Sequence, residues 1–233
     1  MNGFFRCPYK WDLINIVKAP CINVQNDKGL LGQNIHSIIA EYYRLVPQHP
    51  TSKQIESLAT TCFTQMFESF LSHYKHVAED MVKNFIKFEQ SRLKNYVKPI
   101  LVEKTLEDDL FKGVIDFFDG QNIIDWKTGA MCNLDDDSRR QGKIYDLLLQ
   151  HNGFNNGGKN FKVFFVTLRN SRVLELPFTS EAWLMDQIKH MYSIIQSGRF
   201  PKIRSPLCDW CEVELYCQLE DTHLWESVLN KLS

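Results

Sequence analysis

Apolar residues recur at helical spacing through most of the first hundred positions. This spacing predicts a short helix over residues 8–18 and longer helices over 30–46, 52–73 and 76–97. Pro47, Pro50 and Pro99 stand where these patterns break, as expected for residues that end helices. The helical period returns over residues 138–150 and 180–197. The first part of the chain is therefore expected to be helical.

Between these helical stretches the pattern is that of short, apolar, β-rich segments. The predicted strands are Ile100–Leu106, Leu110–Phe118, Asn122–Lys127, Phe161–Leu168 and Arg172–Leu176, with Asp119-Gly120 as a hairpin turn. This order predicts an α/β (mixed α+β) fold in which helices flank a mixed central sheet. We expect an N-terminal helical region at 1–99, a core at 100–200 and a cysteine-rich segment at 201–233, packed as one compact unit.

Charge and hydropathy narrow the class of protein. The 233 residues contain 27 Lys and Arg against 28 Asp and Glu, a formal net charge of -1, so any basic groove must be local. No apolar run approaches the ~20 residues that span a bilayer. The stretch from Met1 to Trp11 is unlike a signal peptide, because it carries charges and a proline. We expect a cytoplasmic protein.

Two acidic residues and a lysine fall on neighbouring predicted strands. Asp125 and Lys127 are two positions apart and therefore share a face, and the hairpin brings Asp116 beside them. Carboxylates of this kind hold Mg²⁺ or Mn²⁺, which polarises a phosphoryl oxygen and activates water, while a lysine neutralises developing charge. The alternative is a solvated strand edge on which polar residues simply alternate.

This stretch resembles the Gly-x-x-Asp and Asp-x-Lys signature of the RecB-like branch of the PD-(D/E)XK nucleases, with Thr-Gly after the lysine. The branch also has Gln-x-x-x-Tyr on the next helix, and Gln141 and Tyr145 match it on one helical face. The resemblance implies a restriction-endonuclease-like core and a catalytic set of Asp116, Asp125, Lys127, Gln141 and Tyr145.

The same resemblance extends to further site residues. A histidine on an early helix is a metal ligand in this branch, and Gly32 to His36 matches that pattern, although a lone histidine is also often a core residue. The implied Mg²⁺ or Mn²⁺ ligands are His36, Asp116 and Asp125, with Glu103 as an additional candidate. Arg139, Arg140 and Lys143 are candidates for contacts with DNA phosphates.

The cysteines form a second candidate site. Three of the seven, Cys208, Cys211 and Cys217, follow a C-x2-C-x5-C spacing that is compatible with iron–sulfur or zinc ligation once a fourth thiolate joins. The layout is similar to the AddB nuclease domain and the CRISPR-associated exonuclease Cas-four, which implies a [4Fe–4S] cluster with Cys7 as fourth ligand. The remaining Cys21, Cys62 and Cys132 are interpreted as ordinary thiols.

The resemblance implies a hydrolase that cleaves DNA phosphodiesters with Mg²⁺ or Mn²⁺, acting on single-stranded or free ends as an exonuclease, with endonuclease activity as a second mode. Two alternatives stay open. The chain could be a nuclease subunit active mainly with protein partners in CRISPR adaptation, recombination or repair. It could also be a DNA-binding iron–sulfur module that does not cleave. No membrane partner is expected.

Overall fold

The computed structural model describes residues 2–21, 27–129, 134–205 and 208–218. These fall into two compact units, one of residues 26–180 and one that joins residues 1–25 to residues 181–233. The division cuts across the three segments predicted from the sequence, because the two chain ends group together. No helix of the described residues is both long enough and apolar enough to cross a membrane.

The central unit begins with three helices. They are α3 (Asp27–Leu45), α4 (Ser52–Met66) and α5 (Lys75–Ser91). Two short helices, α1 (Asn2–Arg6) and α2 (Pro8–Asn15), precede them in the chain and belong to the other unit. The start of α4 is fixed by a capping box in which Thr51 and Gln54 exchange hydrogen bonds. A 3₁₀ segment, Ser69–Tyr74, takes the place of the last turn predicted for this helix.

A five-stranded sheet follows, in the order β1-β2-β3-β4-β5. The strands are β1 (Leu101–Glu107), β2 (Lys112–Phe118), β3 (Asn122–Lys127), β4 (Lys162–Thr167) and β5 (Arg172–Glu175). β3 and β4 are parallel and joined by α6 (Asp136–His151), whereas the other neighbours are antiparallel. The predicted mixed sheet flanked by helices is confirmed.

The core lies between the sheet and α3, α4 and α5. Its centre is Trp126 of β3, whose ring contacts the aromatic rings of Tyr43, Phe85, Phe88 and Phe117. Trp126 is 1% exposed, so this face of β3 is fully enclosed by apolar side chains. The opposite face carries Asp125 toward α6, because successive side chains of a strand alternate.

The terminal unit contains α1 (Asn2–Arg6), α2 (Pro8–Asn15), α7 (Glu181–Ser197) and α8 (Glu214–Gln218). Cys7 is the N-cap of α2, and Pro8 occupies the first helical position, where the missing N–H costs nothing. A 3₁₀ turn, Cys208–Trp210, precedes α8. One small apolar group of Leu13, Ala19 and Val213 is buried in this unit.

Candidate active site

The two aspartates and the lysine converge on one face of the sheet. β2 and β3 are in register at Phe117 and Ile124, which sets Asp116 opposite Asp125. Lys127 Nζ lies 2.6 Å from Asp125 Oδ2, on the same face. Asp116 and Asp125 are 7% and 4% exposed, so both carboxylates are buried. A solvated strand edge would leave them in water.

The pairing of β2 with β3 ends at Phe117 and Ile124. Beyond these residues, polar contacts connect the two strands. Asp116 Oδ2 accepts a hydrogen bond of 2.9 Å from the backbone N–H of Trp126. The carbonyl oxygen of Trp126 lies 3.0 Å from His36 Nε2. The main chain between Asp125 and Lys127 therefore belongs to the site, a contribution that no side-chain pattern in the sequence could have indicated.

His36 of α3 gathers two carboxylates. Its Nδ1 lies 2.9 Å from Glu103 Oε1 and 3.6 Å from Asp116 Oδ2. In the described part of the chain, His36, Glu103 and Asp116 form the one group of three or more potential ligands with atoms within 4.8 Å of one another. Nitrogen and carboxylate oxygen donors suit Mg²⁺ or Mn²⁺, so this group fits a divalent ion.

Glu103 reaches this group through an unusual backbone conformation. Its φ angle is +44°, in the left-handed region that residues other than glycine rarely adopt. The neighbouring residues Val102 and Lys104 remain paired with β2. Strain of this kind is characteristic of functional sites. The sequence identified Glu103 only by its acidity and position.

The pKa values of Asp116 and His36 are both raised in this group. Burial raises the pKa of Asp116 to about 8, assisted by the charges of Asp125 and Glu103. Burial lowers the pKa of His36, but the hydrogen bond to Glu103 and the charges of Asp116, Glu103 and Asp125 outweigh it and raise the pKa to about 9. Both ring nitrogens of a protonated His36 can then donate, to Glu103 and to the Trp126 carbonyl.

Asp125 faces a second polar group, supplied by α6. Gln141 Nε2 donates to Asp125 Oδ1 at 2.7 Å and to Tyr145 Oη at 2.6 Å, and Lys127 Nζ donates to Gln141 Oε1 at 3.0 Å. Tyr145 Oη lies 3.2 Å from Asp125 Oδ1, and burial raises the Tyr145 pKa, so the phenol keeps its proton. Lys127 also lies over the Phe165 ring.

The three basic residues proposed for phosphate contacts lie on α6 in different surroundings. Lys143 is buried, and its Nζ donates to Asp146 at 2.8 Å and to Asn160 at 3.1 Å. Arg140 is also buried and paired with Asp137. Arg139 is partly exposed and pairs with Asp136 at 3.2 Å. The structure does not bring Lys143 or Arg140 to the surface that a phosphate would approach.

A cleft of about 940 Å³ opens beside His36 and Glu103. Its wall on α3 includes Lys28, Gln33 and Arg44, and Thr128 of the turn after β3 also lines it. The helix comes very close to that turn, because a Cβ at Gly32 would lie 2.9 Å from Thr128 Oγ1.

The four cysteines of the second candidate site all lie in the terminal unit. The thiols of Cys7, Cys208 and Cys211 are close enough for their charges to raise the pKa of Cys217, which burial raises most. All four are free of disulfides. Backbone N–H groups approach two of the sulfurs at 3.4 Å, Lys10 at Cys7 and Ser205 at Cys208.

Spacing of the sulfurs bears on the metal that they could hold. Tetrahedral zinc, with Zn–S bonds of ~2.3 Å, would draw its sulfurs to within ~4 Å of one another. Among the described residues, no three cysteine sulfurs lie within 4.8 Å of one another. Four thiolates can bind either a [4Fe–4S] cluster or a zinc ion. Cys62 is buried and Cys21 exposed, and Cys132 lies outside the described residues.

Comparison with known proteins agrees with this geometry. The family model described as "PD-(D/E)XK nuclease superfamily" matches residues 1–218. No curated protein matches the chain significantly. A solved structure described as a "Putative exonuclease" from Eubacterium rectale is similar, with 15% identity, a TM-score of 0.43, and coverage of 82% of this chain and 75% of that chain. A similarity this low says nothing about the function of the protein. The family match covers nearly the whole chain, and we conclude that the protein belongs to the PD-(D/E)XK nuclease superfamily.

Proposed function

We propose that this protein is a metal-dependent exonuclease that hydrolyses DNA from single-stranded or free ends, with endonuclease activity as a second mode. The observation that carries the proposal is the convergence of Asp116, Asp125 and Lys127 in a buried site beside His36 and Glu103. Three carboxylates together would repel one another strongly unless a cation offsets their charge.

His36, Glu103 and Asp116 would hold Mg²⁺ or Mn²⁺, with Asp125 as the adjoining carboxylate. When bound, the ion supplies a Lewis acid for the phosphoryl oxygen and lowers the pKa of a bound water. His36 Nδ1 faces the carboxylates and Nε2 faces the Trp126 carbonyl, so one nitrogen can act as ligand while the other donates.

Lys127 is the group suited to the attacking water or the developing phosphate charge. Its ammonium is oriented by Asp125, Gln141 and the Phe165 ring, which limits it to one position beside the acids. Such a preorganised cation stabilises a transition state at little reorganisation cost. Gln141 and Tyr145 are positioning residues, because they act through Asp125 and Lys127.

The cleft beside His36 supports a single DNA strand as the substrate. Small residues of α3, namely Gly29, Gly32 and Ala40, leave room along the wall, and Gln33 and Ser37 offer polar groups. Lys28 and Arg44 also line the cleft, where Arg44 is paired with Glu41. A groove with small and polar walls would admit the backbone of a strand of any sequence.

We propose further that Cys7, Cys208, Cys211 and Cys217 hold a [4Fe–4S] cluster. Support comes from four unbridged thiols drawn from both chain ends, from their proximity to one another, and from the N–H groups directed at two of them. A cluster that links Cys7 to the C-terminal cysteines would stabilise the unit, so its proposed role is structural.

Digestion of labelled oligonucleotides tests the nuclease proposal. Linear single strands labelled at either end should shorten stepwise with Mg²⁺ or Mn²⁺, circular single strands should be cut more slowly, and chelation should stop both. Lys127→Ala should reduce the rate by about 10²–10³-fold. Lys104→Ala, at an exposed position of β1, is the matched control and should change it less than about twofold. Equal cleavage by Lys127→Ala would overturn the catalytic assignment.

Anaerobic purification tests the cluster. The protein should be brown, absorb near ~400 nm and contain about four iron atoms and no zinc. A colourless, zinc-containing sample would contradict the proposal.

A further inference from the structure

An arginine that the nuclease signature does not include lies beside the end of the catalytic strand. Because β3 and β4 are parallel, both strands end at the same edge of the sheet, with Lys127 opposite Thr167. The N–H of Leu168 donates to the Lys127 carbonyl at 2.9 Å. The next residue, Arg169, donates through Nε to the Thr128 carbonyl, also at 2.9 Å.

The rest of this guanidinium has no partner among the described residues. Arg169 is half-buried, yet no carboxylate of the described chain lies within ion-pair distance of it. Lys127 and Arg139, by contrast, are paired with Asp125 and Asp136. A guanidinium that is held in place beside the site and has no anion next to it is suited to an anionic ligand.

The Nε hydrogen bond orients the guanidinium in a way that suits a phosphate. It fixes the plane of the group against Thr128, a residue that lines the cleft beside His36. Neither terminal amino group has a partner in the part of the chain that the structure describes, and their fork matches two oxygens of a phosphate. A site with three carboxylates needs such a cation if a polyanionic strand is to enter.

We propose that Arg169 binds a backbone phosphate of the DNA strand, next to the phosphate that is cleaved. This inference rests on the proposed nuclease function and adds a substrate contact at the edge of the sheet, apart from the α6 residues. Its ligand is a phosphodiester, so the contact contributes affinity and strand position without sequence preference.

A purely structural role, in which Arg169 only holds the Thr128 carbonyl, predicts different behaviour. Arg169→Gln removes the charge but keeps an N–H donor, and Arg169→Lys keeps the charge but loses the fork. Lys162→Gln, at the opposite end of β4, is the matched control because it removes an exposed charge away from the site.

Binding of a fluorescent single-stranded oligonucleotide, measured over a range of salt in a Lys127→Ala background so that it stays intact, tests the inference. Arg169→Gln should weaken binding about tenfold and reduce the slope of log K against log salt by about 0.7, with an unchanged melting temperature. Arg169→Lys should lie between, with the slope preserved. Lys162→Gln should match the parent.

A second measurement changes the DNA as well as the protein. Oligonucleotides with one uncharged methylphosphonate link at successive positions should lose affinity for the parent protein at one link near the cleavage point. The same substitution should cost nothing further in Arg169→Gln. Equal binding by Arg169→Gln, or an unchanged salt slope, would overturn the inference while cleavage by the wild type left the nuclease proposal intact. Absence of cleavage by the wild type with either ion would instead count against the nuclease proposal.

Discussion

The two units of the molecule organise their reactive side chains in opposite ways. In the central unit, Asp125, Lys127 and Gln141 are hydrogen-bonded to one another and rest on a large aromatic core. In the terminal unit, two of the four thiols, Cys7 and Cys208, receive backbone N–H groups, and in the described residues Leu13, Ala19 and Val213 form a small buried group. The first site is held by contacts between its own side chains, whereas the second would be held together by the proposed cluster.

The largest effect is expected in the terminal unit, from loss of the proposed cluster. Cys217→Ser should reduce bound iron from about four atoms to below about one, because three thiolates hold a cluster poorly. Hydrogen exchange should then show loss of protection over 208–218 and in α2, with β1 to β4 still protected. Cys21→Ser, which changes an exposed thiol, should do neither. Persistent protection of 208–218 without metal would remove the contrast between the units.

A close approach within the central unit is expected to have the next largest effect. Gly32→Ala places a Cβ 2.9 Å from Thr128 Oγ1, which should push α3 and His36 away from the acids. We expect kcat/KM to fall about 10–100-fold, since a displacement of about 1 Å can have that cost. Thr128→Ala should restore most of the activity in the double variant. Gly3→Ala, where no atom lies within 4 Å, is the control.

Removal of one hydroxyl should have a smaller effect, because the site has redundant hydrogen bonds. Tyr145→Phe deletes the contact with Asp125 Oδ1, which still accepts from Gln141. The rate of cleavage should fall about tenfold, a loss of about 1.4 kcal/mol of transition-state stabilisation. Tyr192→Phe, at an exposed tyrosine of α7, should leave the rate unchanged. A fall as large as that of Lys127→Ala would mean that Tyr145 is itself catalytic.

The smallest expected effect is on stability without metal. The raised pKa of Asp116 means that the folded state binds its proton more tightly than the unfolded state. Stability of the wild type should therefore decline as the pH rises from about 4 toward about 8. Asp116→Asn avoids this loss, so its melting temperature should equal that of the wild type near pH 4 and exceed it increasingly as the pH rises toward about 8. The same variant should lose the thermal shift caused by Mn²⁺.

The hairpin and its acids could be predicted from the sequence, because they depend on local rules. Alternation along β3 fixes the shared face of Asp125 and Lys127, and Asp119-Gly120 fixes the turn, where Gly120 has a φ of +100°. The matching helix spacing of Gln141 and Tyr145 was equally local, and both residues reach Asp125.

Other parts of the site depend on tertiary structure and could not be predicted. The left-handed backbone at Glu103 and the carbonyl of Trp126 have no signature in residue type. The burial of Lys143 follows from its contact with Asn160, which lies in a distant connection. Arg169 lies outside the nuclease signature, and its contact with the Thr128 carbonyl has no signature in residue type.

Trp126 gives the central unit one further property. Its indole lies in the aromatic core, while its carbonyl and N–H contact His36 and Asp116. Loss of packing around the Trp126 indole would therefore displace His36 and Asp116. The aromatic core and the metal site should be lost together. Heat inactivation and the red shift of Trp126 emission should follow the same curve. The fluorescence of this residue should therefore report how much active enzyme remains.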